Sequence, residues 1–537
     1  MTRSSCAMGM ALLIAAAFGP LRLTAGDDIA RPPVEDIHPR SAEVDWSVPA
    51  RNGQAVQPGE HPRLIFRKSD LPELRRRAET PEGKIILQRC RDMLAKRFTT
   101  WNAAGHAFLY QITGDAKYAE EAKEAMLQTL SAKANPDGRY TWPGKGQLRT
   151  GPCVAAVGLA YDMAYDGWDE ATRKKVADAI IRNAAPIAER PSHGPGCNHW
   201  GAHSGGAGIG LLALRGDTVG DPKRVEELLE KVVKNVRREL VEGFGDHAYY
   251  GEGHYCGRIS ANTGVIPFIQ AYRVAAGRDL VPKCSNAQWQ AAKWVYELVR
   301  FDNQVRNIQR GMYARDPFTR GDQLSGDGDF AQGFGIVPER YKAALLWTFN
   351  HVVQPGEEKD YDMLEYPHLA AYALANWPLG MKEQNPGEIL PKAMVDATIG
   401  YYVFRNGWTG TEQDVVVTAL LGSAGSMGRG MGKGGSLEVV GMGVRYVFPG
   451  MFYLSKTGYF KAEPDGSGVL SAKIDEKPNL SGSNDNKLYQ QALAVGGKAA
   501  TSMAVDYSGR CGAPVLVVQV GTHTNHQTGK WTEIMPA

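Results

Sequence analysis

Between residues 61 and 381 the sequence consists of amphipathic segments that follow one another in pairs, with no strand-like segment between them. Trp101 to Ile112 and Lys117 to Leu130 carry apolar residues at helical spacing, which is typical of helices with one buried face. The turn between them, Thr113-Gly114-Asp115, has the residues that end one helix and begin the next. Consecutive helical hairpins predict an α/α array, either a closed toroid or an open solenoid.

The helical period ends before a polar, proline-containing segment, and residues 382–398 are predicted to be a linker. Beyond it, short runs rich in Val, Tyr and Phe are separated by glycine-rich turns, as is typical of β-strands. Residues 399–537 are therefore expected to form an antiparallel β domain, most simply a β-sandwich, and the predicted fold class is multidomain, α and then β. Strands are predicted at residues 401–405, 415–420, 444–448 and 516–520.

The composition is that of a globular protein whose charge is nearly balanced. Of the 537 residues 43% are hydrophobic and 22% are charged, and the formal net charge is +3. A chain of this length is expected to form two or three domains. Because the sequence has no Lys/Arg block, a nucleic-acid partner is not expected, and attraction to an acidic substrate has to be local.

The N-terminus has the pattern of an export signal. Arg3 precedes the apolar run Ala7 to Phe18, and the small residues Thr24-Ala25-Gly26 offer a cleavage point. Residues 1–25 are therefore predicted to be a signal peptide of a periplasmic or secreted protein, and the alternative is a cytosolic N-terminal helix. No later apolar run reaches the ~18 residues of a membrane span. Residues 26–60, rich in Pro, Asp and Arg, are predicted to be an extended arm or linker.

Six cysteines remain once Cys6 has been removed with the predicted signal. None of them forms a CxxC pair, so a structural zinc site is not predicted. Because an exported protein can form disulfides, one interpretation is a bridge between Cys197 and Cys256. The other interpretation is that the cysteines are buried thiols that form no disulfide.

Two stretches about 55 residues apart combine glycines with side chains that exchange protons or hydrogen bonds. The first runs from Cys197 to Gly206 and the second from Gly251 to Arg258. Each lies between strongly helical segments and is predicted to be a loop, and loops on a rigid scaffold commonly carry binding and catalytic groups. We therefore expect the two stretches to form the walls of one active site. Its chemically active side chains are Asn198, His199, His254 and Tyr255.

The helical array, an Asn-His-Trp motif, a Gly-Glu-Gly-His-Tyr motif and a β domain after "GYYVFRNGW" together resemble the heparinase II/III-like and alginate-lyase polysaccharide lyases. The resemblance covers residues 60–450 and is most specific at Asn198-His199-Trp200, Glu252 to Tyr255, and Tyr402 to Trp408. It implies an incomplete (α/α) toroid of helical hairpins followed by an antiparallel β-sandwich, with the substrate in a cleft on the toroid. It also implies β-elimination on a polysaccharide that contains uronic acid.

The resemblance implies a role for each matching residue. Asn198 and His199 fall on the segment that binds the substrate carboxylate, and Tyr255 falls on the catalytic tyrosine, with His254 beside it as a further candidate. These residue types suit the reaction, because the C5 proton of a uronate becomes acidic only when the carboxylate charge is neutralised. A base must then reach C5 while an acid reaches the C4 oxygen. The candidate substrate-binding residues are Trp200, His203, Arg258, Glu252 and Arg429.

The chain departs from the family at the segment that enters the β domain. Family members usually carry Gly-His-x-His-x-Asp there, with a catalytic histidine and, in some, metal ligands. The corresponding positions here are Arg429, Met431 and Lys433. No metal or other cofactor is therefore expected, and either the second catalytic group comes from elsewhere or Tyr255 acts as both base and acid. Arg429 and Lys433 can still attract an anionic chain.

Two other functions fit the same residues. Glu252 and Asp246 can form the carboxylate pair of a glycoside hydrolase on the same type of scaffold. The second alternative is a non-catalytic carbohydrate-binding protein that has lost the sandwich histidine. Each candidate also has a structural reading, with Asn198 as a turn former and Tyr255 as a core aromatic residue.

Overall fold

The computed structural model of the protein describes most of the helical region and parts of the β region. The described residues are 41–51, 56–131, 141–144, 147–191, 193–250, 254–301, 304–307, 328–362, 366–396, 401–420, 436–441, 444–446, 459–462, 468–473, 502–506 and 516–519. The predicted signal peptide at residues 1–25 lies outside them, as do Glu252 and Arg429. His254 and Tyr255 are described by their backbone alone.

Helices dominate the chain from residue 71 to residue 376. Their bounds are α1 Leu71–Ala78, α2 Pro81–Lys96, α3 Asn102–Thr113, α4 Ala116–Leu130, α5 Gln147–Ala164, α6 Glu170–Glu189, α7 Asn198–Leu214, α8 Pro222–Arg238, α9 His254–Ser260, α10 Ile266–Ala276, α11 Ser285–Ala292, α12 Trp294–Glu297, α13 Asp329–Gly333, α14 Glu339–Thr348 and α15 Leu369–Asn376. Short π-helical turns follow α8, α9 and α14, at Glu239–Gly243, Ala261–Val265 and Phe349–Val353.

The first predicted helical hairpin is confirmed, with the ends of α3 and α4 each within one residue of the predicted bounds. Gly114 ends α3 with a φ of 72°, a left-handed conformation that glycine adopts without strain. The Asp115 side chain then accepts the backbone N–H of Lys117 and caps α4. The turn residues thus act as their chemistry predicts.

The helices form a ring. In its inner layer α3 contacts α5, α5 contacts α7, α7 contacts α10, α10 contacts α13, and α13 contacts α15. α15 then packs against α1, α2 and α3 at the start of the helical region. Because the contacts return to their starting point, they favour a toroid over an open solenoid.

The inner and outer helices differ in their sequence patterns. The outer helix α8 buries Val225, Leu228 and Val232 on one side and carries charged residues on the other. The inner helix α7 is enclosed on every side, and within it only His199 keeps part of its surface exposed. An enclosed helix has no amphipathic period, so the sequence pattern predicted only its second half, from Ala207 to Leu214.

The described strands are β1 Val48–Pro49, β2 Arg278–Asp279, β3 Leu298–Phe301, β4 Gln304–Asn307, β5 Ala393–Asp396, β6 Tyr401–Arg405, β7 Val416–Leu420, β8 Ser436–Gly441, β9 Val444–Tyr446, β10 Tyr459–Ala462, β11 Gly468–Lys473, β12 Ser502–Asp506 and β13 Leu516–Gln519. Those after the helical region form two larger sheets. One sheet has the order β5-β6-β7-β8-β9 and is antiparallel throughout, and the other has the order β10-β11-β12-β13. β11 and β12 pair in parallel, which departs from the expected antiparallel domain and is made possible by the long connection between them. Within the helical region β3 and β4 form a short hairpin, and β1 pairs with the sequence-distant β2.

The Arg-Asn-Gly-Trp motif joins the first sheet to the ring. The guanidinium of Arg405, which is 2% exposed, donates to the carbonyls of Tyr296 and Leu298 at the end of α12. The indole N–H of Trp408 donates to the carbonyl of Val295 at 2.8 Å. Carbonyl groups at a helix C-terminus lack partners within the helix, so these donors satisfy them. The motif that carried part of the resemblance therefore has a structural function here.

The described cysteines are buried and form no disulfide. The bridge considered between Cys197 and Cys256 is therefore not formed. Burial raises the pKa of Cys90 and that of Cys284 to about 12. Cys511 lies outside the described residues. Among the helices that the structure describes, none has both the length and the apolar character needed to cross a bilayer.

Candidate functional site

The first candidate stretch is the beginning of a helix, and the prediction of a loop there is wrong. α7 begins at Asn198, and Cys197 precedes it in an extended conformation. The glycines of the stretch serve close packing between helices, and none of them adopts a left-handed conformation. In α7, which includes this stretch, an added Cβ would lie within 2.6 Å of a neighbouring atom at Gly201, Gly205, Gly206, Gly208 and Gly210.

The second stretch is helical from His254 onward, so the loop prediction is wrong there too. α9 begins at His254 and continues through the π turn Ala261–Val265 into α10. Tyr255 therefore lies in the first turn of a long inner helix. Like α7, this helix is rich in small buried residues, which is why its sequence shows no helical period.

These two inner helices run side by side in the same direction. An added Cβ at Gly201 would meet the Ser260 hydroxyl at 2.0 Å, and one at Gly208 would meet the Phe268 ring at 2.3 Å. From the first contact to the second, the residue number rises by seven in α7 and by eight in the other helix, so the two helices are parallel. Their first turns consequently lie at the same end of the ring.

The helix α5 is a third parallel neighbour. An added Cβ at Gly151 would lie 2.6 Å from the Cα of His203, and one at Gly158 would lie 2.7 Å from the Cα of Gly210. The N-termini of α5, α7 and α9 therefore point to one end of the ring. Each helix N-terminus carries a partial positive charge from its unpaired N–H groups, so this end favours an anion.

A hydrogen bond joins the segments that lead into α7 and α9. The hydroxyl of Tyr250, which is 1% exposed, donates to the carbonyl of Pro195 at 3.1 Å. Pro195 precedes Asn198 by three residues, and Tyr250 precedes Tyr255 by five. The two stretches that are far apart in sequence therefore meet in the fold.

The turn before α9 is held by a carboxylate from the sheet. Asp396, the last residue of β5, is fully buried and accepts the backbone N–H groups of Asp246, His247 and Tyr249 at 3.0, 2.9 and 3.1 Å. Gly245 permits this approach, because a Cβ there would lie 2.1 Å from a carboxylate oxygen of Asp396. The sheet thus positions the segment that leads to the second wall of the site.

Three imidazoles, which we call the histidine row, extend from the surface to the interior beside the start of α7. The exposed His193 packs edge-on against the half-buried His199 with ring centroids 5.0 Å apart, and His199 lies 6.4 Å from the buried His203. His193 has a φ of 64°, which is strained for a residue other than glycine. The sequence reasoning missed His193, although the spacing His-x5-His-x3-His was available as a signal.

His203 lies too deep to serve as a substrate contact. It is 4% exposed and packs against α5, which corrects the prediction that it binds substrate. Burial, together with the neighbouring His199 and His193, lowers the pKa of His203 to about 3. Its imidazole is therefore neutral over most of the pH range, and within the described part of the chain its Nε2 atom has no hydrogen-bond partner.

Trp200 is a packing residue between α7 and α8. Its side chain is 3% exposed, and its indole N–H donates to the carbonyl of Asn235 at 2.8 Å. The guanidinium of Arg238 lies 4.9 Å from the ring centroid and covers one face. The ring has no open face for a sugar, so the prediction that Trp200 binds substrate is corrected.

Arg258 links α9 to α13. Its Nε and Nη2 atoms donate to the two carboxylate oxygens of Asp329 at 3.1 and 2.9 Å, and Asp329 is fully buried. Such a bidentate pair fixes the plane of the guanidinium. The side chain of Arg258, which was predicted to bind substrate, is thus held in an ion pair with Asp329 of the ring.

The remaining predicted residues divide into two groups. Asn198, which is 8% exposed, and the half-buried His199 occupy the first turn of α7 at the end where the helix N-termini meet. Asp246 is 2% exposed and belongs to the turn that Asp396 holds. Glu252, Arg429 and the side chains of His254 and Tyr255 lie outside the described residues. In the described ranges, no three His, Cys, Asp or Glu side chains come together as metal ligands.

Comparison with known proteins finds distant structural similarity. No protein family and no curated protein matches the sequence. The chain is similar to the crystal structure of heparinase III, with a TM-score of 0.37 and 12% identity over 63% of this chain and 48% of that one. It is also similar to a heparan sulfate lyase HepC mutant from Pedobacter heparinus, with a TM-score of 0.34 and 12% identity over 73% of this chain and 62% of that one. The matched region thus spans about half the length of heparinase III.

Proposed function

We propose that the protein is an exported polysaccharide lyase that cleaves a uronic-acid-containing polysaccharide by β-elimination. The observation that carries this proposal is the hydrogen bond from Tyr250 to Pro195, which holds the beginnings of α7 and α9 together. An amide, an imidazole and a phenol, from Asn198, His199 and Tyr255, then belong to the first turns of two neighbouring helices. These are the group types that the elimination requires.

Local electrostatics support an anionic substrate. The formal net charge of the chain is only +3, so attraction to an anion has to come from the site itself. The N-termini of α5, α7 and α9 supply partial positive charge, and Asn198 and His199 add directed hydrogen-bond donors. In the proposed mechanism these groups neutralise the uronate carboxylate and stabilise the enolate-like transition state.

Tyr255 carries the proton chemistry in this proposal. Its phenolate takes the proton from C5, the C–H electron pair becomes the C4–C5 double bond, and the C4–O bond breaks. The departing oxygen takes a proton back from Tyr255, or from His254 beside it. Because a tyrosine ordinarily has a pKa of ~10, the positive surroundings of the helix N-termini are needed to favour its ionised form. The products are a chain that ends in an unsaturated uronate and a second chain with a new reducing end, whose C1 hydroxyl group carries the departed oxygen.

The proposal includes the finer organisation of the chain. We assign residues 1–25 to a signal peptide, residues 61–381 to an incomplete (α/α) toroid, residues 382–398 to a linker and residues 399–537 to a β-sandwich. The succession of contacts between inner helices supports the toroid, and the presence of two sheets supports the sandwich. A periplasmic or secreted location follows from the signal peptide.

The experiment is a panel of acidic polysaccharides, including alginate, glycosaminoglycans and ulvan, read for ultraviolet absorbance from new double bonds. The unaltered protein is expected to produce such bonds on at least one polymer. Tyr255→Phe is expected to abolish them, and Asn198→Ala is expected to lower kcat by roughly 100-fold or more. Tyr118→Phe, on the outer helix α4, is the matched control and is expected to keep full activity.

The same panel separates the alternatives. Saturated products alone would favour a glycoside hydrolase, and Glu252→Gln would then abolish turnover. The burial of Asp246 weighs against that pair, since a catalytic carboxylate must reach the sugar. Saturable binding without any product would favour a non-catalytic carbohydrate-binding protein.

A further inference from the structure

A stripe of polar side chains runs along an enclosed helical segment beside the site. Every residue from Ser285 to Glu297, which spans α11, Lys293 and α12, is buried. Lys293 has helical φ and ψ angles, so the helical path continues through it from α11 to α12. The polar residues of the stripe lie three or four positions apart, and therefore on one face, at Asn286, Gln290, Lys293 and Glu297. Polar groups enclosed in this way have to be explained by what they contact.

This face contacts the segment that leads into α9. The side chain amide of Asn286 donates to the carbonyl of Leu240, shortly before the turn. The ammonium group of Lys293, which is 4% exposed, donates to the carbonyl of Ala248 at 2.6 Å. The same group lies 6.0 Å from the ring centroid of Phe244. Lys293 therefore binds the turn itself.

Two buried groups hold this turn, one by its N–H groups and the other by a carbonyl group. Asp396 accepts the N–H groups of His247 and Tyr249, and Lys293 binds the carbonyl of Ala248 between them. Ala248 has a φ of 60°, a left-handed conformation that is strained for a residue other than glycine. Such a conformation persists only where neighbouring groups hold it, and the ammonium group and the carboxylate do so here.

The turn is in contact with both walls of the proposed site. Tyr250 follows Ala248 by two residues, and its hydroxyl donates to the carbonyl of Pro195, three residues before Asn198 in α7. In the other direction the chain continues from the turn to α9, which begins at His254. A shift of the turn therefore displaces the starts of both helices.

We propose that Lys293 is a positioning residue for the elimination, which keeps Ala248 in its left-handed conformation and so fixes the starts of α7 and α9. This inference rests on the proposed lyase function. Lys293 is too deeply buried to reach a sugar, so its effect passes through the backbone that it binds. An apolar side chain in its place leaves the Ala248 carbonyl without this donor and removes the positive charge that faces Asp396.

Glu297 determines when Lys293 is available to the turn. It lies four residues after Lys293 on the same face, within reach of an ion pair, yet its two carboxylate oxygens have no partner among the described residues. Burial, which Asp396 reinforces and Lys293 opposes, raises the pKa of Glu297 to about 8. Tyr249 faces Glu297 from the turn and stays neutral, because burial raises its pKa. Below pH 8 the ammonium group therefore remains on Ala248, and above it the new carboxylate competes for this group.

The decisive variants are Lys293→Met and the combination of Lys293→Met with Ala248→Gly. In Lys293→Met the kcat/KM for the uronate polymer is expected to fall roughly 10- to 100-fold, because small displacements of catalytic groups have effects of this size. Glycine adopts the left-handed conformation without strain, so Ala248→Gly is expected to restore most of the lost activity. A role of Lys293 in packing alone gives no such recovery, and its absence would overturn the proposal.

Gln290→Met is the matched control. Gln290 lies on the same face of α11, it is fully buried, and its amide atoms have no partner among the described residues. Because an unpaired amide is replaced by an apolar group of similar size, the melting temperature is expected to rise while kcat/KM stays within twofold. A loss of activity as large as that of Lys293→Met would show that any change on this face disturbs the site, and would contradict a specific role of Lys293.

Glu297→Gln tests the same contact with Lys293 left in place. In the unaltered protein kcat/KM is expected to fall as the pH rises through about 8, where the Glu297 carboxylate forms. Glu297→Gln cannot ionise, so the ratio of its kcat/KM to that of the unaltered protein should grow between pH 7 and pH 9. The buried pair of Arg405 and Asp414, which lies beside α12, is present in both proteins. A ratio that stays constant with pH would contradict the proposal.

The outcomes separate this inference from the function on which it rests. If the unaltered protein makes unsaturated products and Lys293→Met has a kcat/KM within twofold of it, the inference falls and the lyase function stands. If the unaltered protein makes no unsaturated product on any uronate polymer, the lyase function falls and the inference falls with it. A loss in Lys293→Met that Ala248→Gly reverses, with Gln290→Met unaffected, supports both.

Discussion

Two groups of buried polar side chains in this protein differ in how completely their atoms are paired. The N-terminal cluster consists of His61, Arg63, Tyr161, Asp162 and Asp217. The two ring nitrogens of His61 lie 2.8 Å from Asp162 and 3.1 Å from Asp217, and Asp217 also accepts from Arg63 at 2.6 Å and from Tyr161 at 2.8 Å. All four carboxylate oxygens of the cluster have partners. It ties the start of the described helical region to α5 and to the turn after α7.

His203 and Asn262, which lies in the π turn after α9, show the opposite arrangement. The Nε2 atom of His203 and both amide atoms of Asn262 are buried without a hydrogen-bond partner in the described ranges. The electrostatic consequences are opposite as well. Burial opposes the ionisation of Asp217, but its bonds to His61 and Arg63 outweigh burial and its pKa is lowered. In His203 nothing outweighs burial, and the pKa falls to about 3.

The difference separates groups that stabilise the fold from groups that weaken it. A buried polar group that has its partners fixes the fold, and removing one partner leaves a charge uncompensated. A buried polar group without partners weakens the fold. Removing a carboxylate of the N-terminal cluster should therefore lower the free energy of unfolding markedly, whereas the unpaired groups beside α7 and α9 should contribute little to it.

The largest expected effect tests the N-terminal cluster. Asp217→Ala leaves the Nη2 group of Arg63 and the Nε2 atom of His61 buried without the carboxylate that they share, and the free energy of unfolding is expected to fall by about 3–5 kcal/mol. Urea unfolding measures it. The control is Asp166→Ala, which breaks an exposed pair with Lys68 and is expected to cost less than about 1 kcal/mol. Equal losses in the two variants would show that the cluster contributes no more than a surface ion pair.

The next effect concerns the contact between the two helices of the site. In Gly201→Ala the added methyl group collides with Ser260, and overpacking of this kind is expected to cost about 2–3 kcal/mol and to lower uronate cleavage by displacing Asn198. Thermal unfolding and the ultraviolet assay report the two effects. Gly356→Ala, where no atom lies within 4 Å of the new methyl group, is the control. An unchanged melting temperature in Gly201→Ala would refute the close packing.

A smaller effect should appear in the pH dependence of stability. His203 takes up a proton in the unfolded chain below pH 6.5 but in the folded protein only near pH 3, so stability is lost as the pH falls between these values. At pH 5 this loss is expected to be about 2 kcal/mol relative to neutral pH. His203→Gln lacks the titrating group, so its stability should fall less between pH 7 and pH 5. Gln290→Met should keep the pH dependence of the unaltered protein, and parallel curves for His203→Gln would contradict the prediction.

The smallest effect concerns Glu297, a buried carboxylate whose two oxygens lack partners in the part of the chain described. Burial, with Asp396 adding to it and Lys293 opposing it, raises the pKa of Glu297 to about 8. The folded protein therefore holds a proton that the unfolded chain releases near pH 4.5, and stability is lost as the pH rises toward 8. Glu297→Gln is expected to gain about 1 kcal/mol relative to the unaltered protein between pH 4.5 and pH 5.5, and the gain should keep growing toward pH 8, as read from melting temperatures. A gain that does not grow with pH would contradict the assignment.

The sequence predicted the outer helices because each has one face toward solvent, and it predicted β6, β7, β9 and β13 because they are rich in Val, Tyr and Phe. α8 and the hairpin of α3 and α4 show this clearly, with ends set by glycine and by capping aspartates. The sequence pattern wrongly predicted loops at the starts of α7 and α9, because enclosed helices have no amphipathic period and their glycines resemble turn residues. Glycine in a sequence does not reveal whether it provides a turn or a close contact.

For a related reason the sequence singled out only some of the side chains that meet at the start of α7. Asn198 and His199 stand out because their chemistry is unusual within a glycine-rich run. His193 did not, since a histidine in a loop has no distinguishing pattern. Hydrogen bonds between residues far apart in sequence could not be predicted either, as with His61 and Asp217, which are 156 residues apart. Such pairs depend on the ring closing, which local patterns do not encode.

The carboxylate of Asp396 has a consequence for the order in which the protein matures. The backbone groups that it accepts belong to residues that leave the ribosome about 150 residues earlier. The helices can assemble before then, but the turn before α9 gains its acceptor only after β5 has been synthesised. A nascent chain that stops short of residue 396 would therefore lose the geometry around Tyr255 along with the missing strands, so competence for catalysis would come late in synthesis.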